Sequence, residues 1–256
     1  MNVLDEIIAN KRKEVALLKQ SHSIERFRES ENFTRETLSL KQHIADSGFG
    51  IIAEIKRKSP SGGEIKTDVN ITEQASFYEK NGASGISILT DYNYFGGSVD
   101  DITAARKVVK LPLLRKEFII DEIQLYQAKA TGADAILLIG AVLQPEDATY
   151  LTNVARSLGL EVLYEVHTAE EVTYIPPDVD LIAVNNRDLK AQQTSLQHSF
   201  DLVKILPKNV PLISASGIKT SEDIDGLRAA GYSGALIGES ILRQGHLAEL
   251  TKNIRP

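Results

Sequence analysis

No cysteine occurs among the 256 residues, which removes disulfides, thiolate catalysis and cysteine-ligated metal sites together. Long apolar runs are missing too: nothing approaches the roughly 18 uninterrupted apolar residues of a membrane span. Asp5, Glu6 and Lys11 interrupt the N-terminal stretch where a secretion signal needs an apolar core. Those absences set a cytoplasmic location and no membrane as the expectation. A basic excess is also lacking, since 29 Lys and Arg face 35 Asp and Glu for a net charge of −6, and this argues against nucleic acid as a partner. The dense basic clusters are Lys11-Arg12-Lys13, which reads as a solvated helix face, and Lys56-Arg57-Lys58. His22, His43, His167, His198 and His246 are scattered, so neither a histidine metal centre nor a Ser-His-Asp triad is supported. Of these, only His167 stands beside the end of an apolar run, and it reads as structural. No metal and no cofactor is expected.

The chain does contain eight short β-rich runs: IIAEIK, GISILT, PLLRKEF, AILLIG, EVLYEV, LIAVNN, PLISAS and GALIGE. Between most of them lies a polar amphipathic stretch ending on glycine, such as DEIQLYQAKATG or TSEDIDGLRAAG, the pattern of a helix with a glycine C-terminus. Regular alternation of strand and helix demands parallel strands, and near-continuous apolar runs suit strands covered on both faces. An open doubly wound sheet satisfies the same alternation, but the count of eight favours a closed (β/α)8 barrel, an α/β fold. After the first run the chain reads RKSPSGG, which is not the dinucleotide fingerprint GxGxxG. Ahead of the barrel, Val3, Leu4, Ile7, Ile8, Val15 and Leu18 recur at near-helical spacing. Residues 1–48 are therefore expected to form a helical extension packed on a barrel of residues 49–256.

Several runs end in groups that can do chemistry. Because side chains alternate along a strand, Glu54 and Lys56 should share a face, as should Leu114, Lys116 and Phe118, Leu163 and Glu165, and Asn185 and Arg187. In a barrel such residues meet at the C-terminal strand ends. Three cations and two anions in one mouth suit an anionic substrate, and paired lysines and glutamates supply acid and base roles that neighbours can tune. The last two runs end in Ser216-Gly217 and Gly238-Glu239-Ser240, and in many barrels these two loops bind phosphate through backbone N–H groups. SPSGG after the first run adds to that expectation.

The segments IAEIKRKSPSGG, ISILTDYNYFGGS, LPLLRKEFIID, YEVHTAEE, VNNRDL and SASGI followed by LIGES resemble, in order, the indole-3-glycerol phosphate synthase family of tryptophan biosynthesis. The opening LDEIIANKRKEVALLK resembles the family's helical extension. The resemblance implies ring closure, decarboxylation and dehydration of 1-(2-carboxyphenylamino)-1-deoxyribulose 5-phosphate, a phosphorylated anthranilate-derived small molecule. It implies Lys116 as the acid toward the ketone, Glu165 in the proton transfers of dehydration, Lys56 paired with Glu54 at the substrate, Asn185 as an orienting group and Arg187 on the anthranilate carboxylate. Ser216, Gly217, Gly238 and Glu239 would hold the phosphate with Lys56 and Ser59, and Phe95 and Phe118 would form apolar walls.

One departure stands out. The family usually reads SESGI where this chain reads SASGI, so Ala215 replaces an expected carboxylate. The expectation is reduced but not abolished turnover. Two other readings remain at this stage: a phosphoribosylanthranilate isomerase-like barrel, whose family pairs cysteine with aspartate and so conflicts with a cysteine-free chain, and a silent phosphate-binding barrel, against which Lys116 and Glu165 argue. Association with other enzymes of the same pathway is left open.

Overall fold

The computed structural model describes residues 2–60, 63–64, 68–188, 193–244 and 247–252. Its centre is a closed barrel of parallel strands: β1 (Gly50–Ile55), β2 (Gly85–Leu89), β3 (Leu113–Lys116), β4 (Ala135–Ile139), β5 (Glu161–Val166), β6 (Leu181–Asn185), β7 (Leu212–Ala215) and β8 (Gly234–Ile237). Each strand pairs with its sequence neighbours, and β8 closes on β1 through the register Gly50 to Gly234. The alternation read from the sequence is therefore a TIM barrel, and the open sheet is excluded. Helices cover the outside, among them Ile71–Lys80, Glu122–Thr131, Pro145–Ser157 and Ser221–Ala230. The second and fourth of these stop at Gly132 and Gly231, which take φ of 97° and 101°, a left-handed turn that costs glycine nothing. Among the described residues, no helix is long and apolar enough to cross a membrane.

The core has two layers, as alternation along the strands requires. Outward residues such as Ile51, Ile86, Leu113, Ile136, Val162 and Ile182 pack against the helices. Inward residues, including Ile52, Leu114, Leu137, Leu163, Ala183, Ile213 and Leu236, fill the barrel together with Leu40 and Ile44. Those last two come from outside the barrel sequence.

The first 48 residues contribute α1 (Val3–Ser21), α2 (Ile24–Arg28) and α3 (Leu40–Asp46). Asn2 and Asp5 form a capping box at the start of α1, which satisfies otherwise orphaned N–H groups. Helix α3 lies across the N-terminal end of the barrel, and the strands there leave room for it: a Cβ on Gly50 would stand 2.8 Å from Ile44 Cγ1, and one on Gly85 would stand 2.5 Å from Leu40 Cδ1. Fully buried Asp134 ties the linker to this end, receiving Arg35 at 2.7 Å, Arg106 at 2.8 Å and the backbone N–H groups of Leu38 and Leu113 at 2.8 Å.

Helix α1 reaches the opposite end. Its Lys11 is only 3% exposed and meets Glu14 at 2.5 Å, Asp91 at 2.9 Å and Glu117 at 2.9 Å. The expectation of a solvated Lys11-Arg12-Lys13 face is thus corrected: Arg12 and Lys13 are exposed, whereas Lys11 is buried. A lysine ammonium leaves water only where anions replace its hydration, and here two of the three come from distant loops.

Candidate active site

At the C-terminal strand ends lies a cavity of about 540 Å³. Glu54, Lys56, Ser59, Phe95, Lys116, Phe118, Glu165, Asn185, Arg187, Ser216, Gly217, Gly238 and Glu239 all line it, so every site residue named from the sequence reaches one space. Ser61 and Gly62 of the SPSGG segment, Leu189 of VNNRDL and His246 lie outside the described residues.

The strands deliver these groups with one local correction. Glu54, Lys116, Glu165 and Asn185 sit within strands, but β6 stops at Asn185, so Arg187 lies in the following loop, where it bridges to Thr194. Its backbone N–H donates to Asn185 Oδ1 at 3.1 Å. Lys56 and Phe118 likewise stand past the ends of β1 and β3. The shared faces inferred from strand alternation therefore continue into the loops, because the chain keeps its direction for a residue or two after the ladder ends.

Two ion pairs organise the polar wall. Lys56 Nζ donates to Glu54 Oε1 at 2.5 Å, and Lys116 Nζ donates to Glu165 Oε2 at 3.3 Å. The other oxygen of Glu165 accepts from Asn185 Nδ2 at 3.1 Å. Burial pushes the Glu165 carboxyl up, but Lys116, His167 and the Asn185 hydrogen bond outweigh it and hold the group below the usual glutamate range. Glu54 follows the same pattern: burial raises it, and Lys56 and Lys116 together bring it below its ordinary value. Both are poised as carboxylates that can accept protons.

Gly238 explains how Glu54 fits. A Cβ there would stand 2.4 Å from Glu54 Oε1, so the glycine of the β8 loop clears the space in which the Glu54–Lys56 pair sits. This role is distinct from the close approach to phosphate expected of it. On β7, Ala215 is 2% exposed, belongs to the inner apolar cluster and lines the cavity; its neighbours in register are Asn185 and Leu236. Directly after it, Ser216 and Gly217 take φ of 71° and 80°. Two successive left-handed residues turn the chain sharply, and for Ser216 this is a strained conformation. Asn186 supports it, donating from Nδ2 to Ser216 O at 3.0 Å and to Ser214 Oγ at 2.9 Å. Ser240 Oγ then joins the two terminal loops by donating to Ile218 O at 3.1 Å. Phe95 and Phe118 face each other with ring centroids 6.1 Å apart.

Sequence reasoning misses two contributors, the apolar face of α1 and Asn186. Val3, Leu4 and Ile7 of α1 line the cavity; the helical period identifies an apolar face but not what it covers. Asn186 gave no signal because its work is done on backbone from another strand. His167, expected to be structural, has its ring between Glu165 and Glu171.

The family model for indole-3-glycerol phosphate synthase matches residues 4–254. A protein of Bacteroides thetaiotaomicron named indole-3-glycerol phosphate synthase is 48% identical, covering 98% of this chain and 97% of its own length. One of that name from Exiguobacterium sibiricum is 42% identical, covering 99% and 97%, and another from Endomicrobium trichonymphae is 37% identical over 99% of each. Among solved structures, tryptophan synthase subunit alpha of Legionella pneumophila superposes with a TM-score of 0.58 at 17% identity, covering 83% of this chain and 92% of its own. Thiamine phosphate pyrophosphorylase of Pyrococcus furiosus gives a TM-score of 0.59 at 12% identity, over 84% and 96%. Those two likenesses speak to the barrel alone. With a family match over nearly its whole length and relatives of up to 48% identity, this chain belongs to the indole-3-glycerol phosphate synthase family.

Proposed function

We propose a division of labour in which the cavity carries out the family's reaction, a carboxy-lyase reaction on a small phosphorylated substrate. The observation that carries it is the acid and base pair Lys116 and Glu165, 3.3 Å apart, beside a second pair, Glu54 and Lys56, in the same cavity.

The substrate's aromatic carbon, still bearing its carboxylate, attacks the ketone of the deoxyribulose chain. Negative charge then builds on the ketone oxygen, and Lys116 delivers a proton to it. Carbon dioxide leaves with its bonding electrons returned to the ring, which restores aromaticity. The new hydroxyl departs as water with a further proton, to which Lys56 contributes. Glu165 takes a proton from the substrate as the indole double bond forms. Asn185 keeps the Glu165 carboxylate aligned, and Arg187 offers a planar fork to the substrate carboxylate until it leaves. The turn at Ser216-Gly217 and the loop at Gly238-Glu239 take the phosphate, with Lys56 and Ser59 adding contacts. Phe95 and Phe118 exclude water from the reacting centre, which strengthens every charge interaction there.

Residues 1–48 act as a working part of the enzyme in this reading, since α1 supplies cavity wall and α3 supplies barrel core. The reaction is placed in the cytoplasm.

The test is the fluorescence of indole-3-glycerol phosphate formed by the wild-type chain and by Lys116→Ala. The wild type is expected to form product and the variant to lose at least about two decades of kcat, the scale of a positioned general acid. No product from the wild type, or equal rates, would contradict the assignment. Ala215→Glu bears on the departure at strand β7. If the missing carboxylate lowers turnover, this change raises kcat/KM, with one decade corresponding to about 1.4 kcal/mol; an unchanged or lower value removes the idea.

A further inference from the structure

His167 stands two residues beyond Glu165 at the end of β5, and its ring is buried. Nε2 lies 3.4 Å from Glu165 Oε1, and Nδ1 lies 3.5 Å from Glu171 Oε2. Among the described residues, neither ring nitrogen finds an aligned hydrogen-bond partner. A buried imidazole with both nitrogens in that condition needs an explanation, and catalytic hydrogen bonds are often long until substrate tightens them. The backbone that carries the ring is nevertheless firmly held. Glu171 Oε2 accepts the His167 backbone N–H at 2.8 Å, Glu171 Oε1 accepts from Thr168 Oγ1 at 3.1 Å, and the His167 carbonyl accepts from His198 Nε2 at 2.6 Å.

The contacts line up as a chain. Glu171, His167, Glu165 and Lys116 follow one another at 3.5, 3.4 and 3.3 Å. The two oxygens of Glu165 divide the work, Oε2 meeting Lys116 while Oε1 meets Asn185 and His167. The chain runs outward as well, since side-chain exposure rises from 3% at Glu165 to 8% at His167 and 13% at Glu171.

The proposed reaction has a use for such a path. Two protons go onto oxygen as the ketone becomes water and one returns from the substrate as the double bond forms, so each turnover draws one proton from outside. Imidazole is suited to that traffic because its ordinary pKa lies near neutrality.

We propose that His167 is a positioning residue that holds the Glu165 carboxylate and passes protons between it and Glu171. The titratable groups around it are Glu165 and Glu171, Lys116 beyond Glu165, His198 at its carbonyl, and Tyr164, whose hydroxyl lies close to Glu171 across Gly140. The inference rests on the proposed role of Glu165.

The experiment measures kcat, KM and their pH profiles for wild type, His167→Ala and Glu171→Gln, with imidazole or the weakly basic pyrazole added to the alanine variant. His167→Ala should lower kcat about tenfold with KM within about twofold. Imidazole should restore the rate, and pyrazole, of the same size, should not. Glu171→Gln should lower kcat less, with a larger solvent isotope effect, and it serves alone if the alanine variant does not fold. Wild-type kcat and pH profile in either variant, or equal restoration by pyrazole, would overturn the inference while leaving the site intact. Failure of the wild type to form product would instead overturn the reading on which it rests.

Discussion

The two ends of the barrel are built from the same alternating strands and put them to opposite use. At the N-terminal end, inward positions are small or absent, as at Gly50, Gly85 and Gly234, and Leu40 and Ile44 of α3 fill the opening with hydrocarbon. At the C-terminal end, inward positions carry Glu54, Lys116, Glu165 and Asn185 around a cavity of about 540 Å³. Burying hydrocarbon is favourable without further conditions, whereas burying charge is tolerated only when each charge meets another. The first end can therefore be read as hydrocarbon that stabilises by itself, and the second as charge that stabilises only while its pairs stay intact.

Lys11 adds a third use of charge. Adjacent residues Lys116 and Glu117 belong to different networks, the first to the Glu165 pair and the second to Lys11, Thr90 and Arg115. Burial pushes Glu117 up, and Lys11 and Arg115 bring it below the usual glutamate range. Lys11 is driven upward on balance, because Glu117, Asp91 and Glu14 together overcome burial. That network fastens α1 beside the cavity, which Glu117 also lines.

The sharpest way to break the comparison is to unpair Lys11. Lys11→Met leaves Asp91 buried without its lysine and Glu117 with Arg115 alone, and should cost about 3–5 kcal/mol, as for a broken buried pair, read as a lower Tm and denaturation midpoint. Leu40→Ala should cost about 2–5 kcal/mol by opening a cavity at the plugged end, while kcat measured well below Tm stays near wild type. A large loss of kcat without loss of stability would show that the plug is tied to the chemistry. Gly238→Ala forces Glu54 aside and should lower kcat/KM by about tenfold, or about 1.4 kcal/mol, with a small change in Tm; unaltered kinetics would mean the Glu54–Lys56 pair is dispensable. The mildest effect is acidic. Glu54, Glu117 and Glu165 all have folded values below the ordinary 4.5, so each contributes stability that is present above that value and lost as pH falls through the lowered one. Tm should decline on acidification below about pH 4.5. In Lys11→Met the Glu117 share of that decline should shrink, to what Arg115 and Thr90 supply.

How much of this could be read in the chain depends on what each residue answers to. Glu54, Lys116, Glu165 and Asn185 were legible because strand alternation fixes their direction locally, and the barrel then converges them. Arg187 was placed on the right side but in the wrong element, since a ladder's end is set by partner strands. Lys11 was misread because helix periodicity cannot reveal that Asp91 and Glu117 will approach from elsewhere. The clearance Gly238 gives Glu54, and the hold of Asn186 on the Ser216 turn, are tertiary contacts with no local pattern behind them.

The most direct measurement is Glu165→Gln, followed for indole-3-glycerol phosphate formation and for Tm in the same preparation. A group placed for chemistry predicts loss of at least about two decades in kcat when the assay is run well below Tm, alongside a Tm modestly lowered because the ionised Glu165 is held by Lys116 and Asn185. Retained turnover, or a loss of activity that merely follows a loss of fold, would contradict the separation of the two ends.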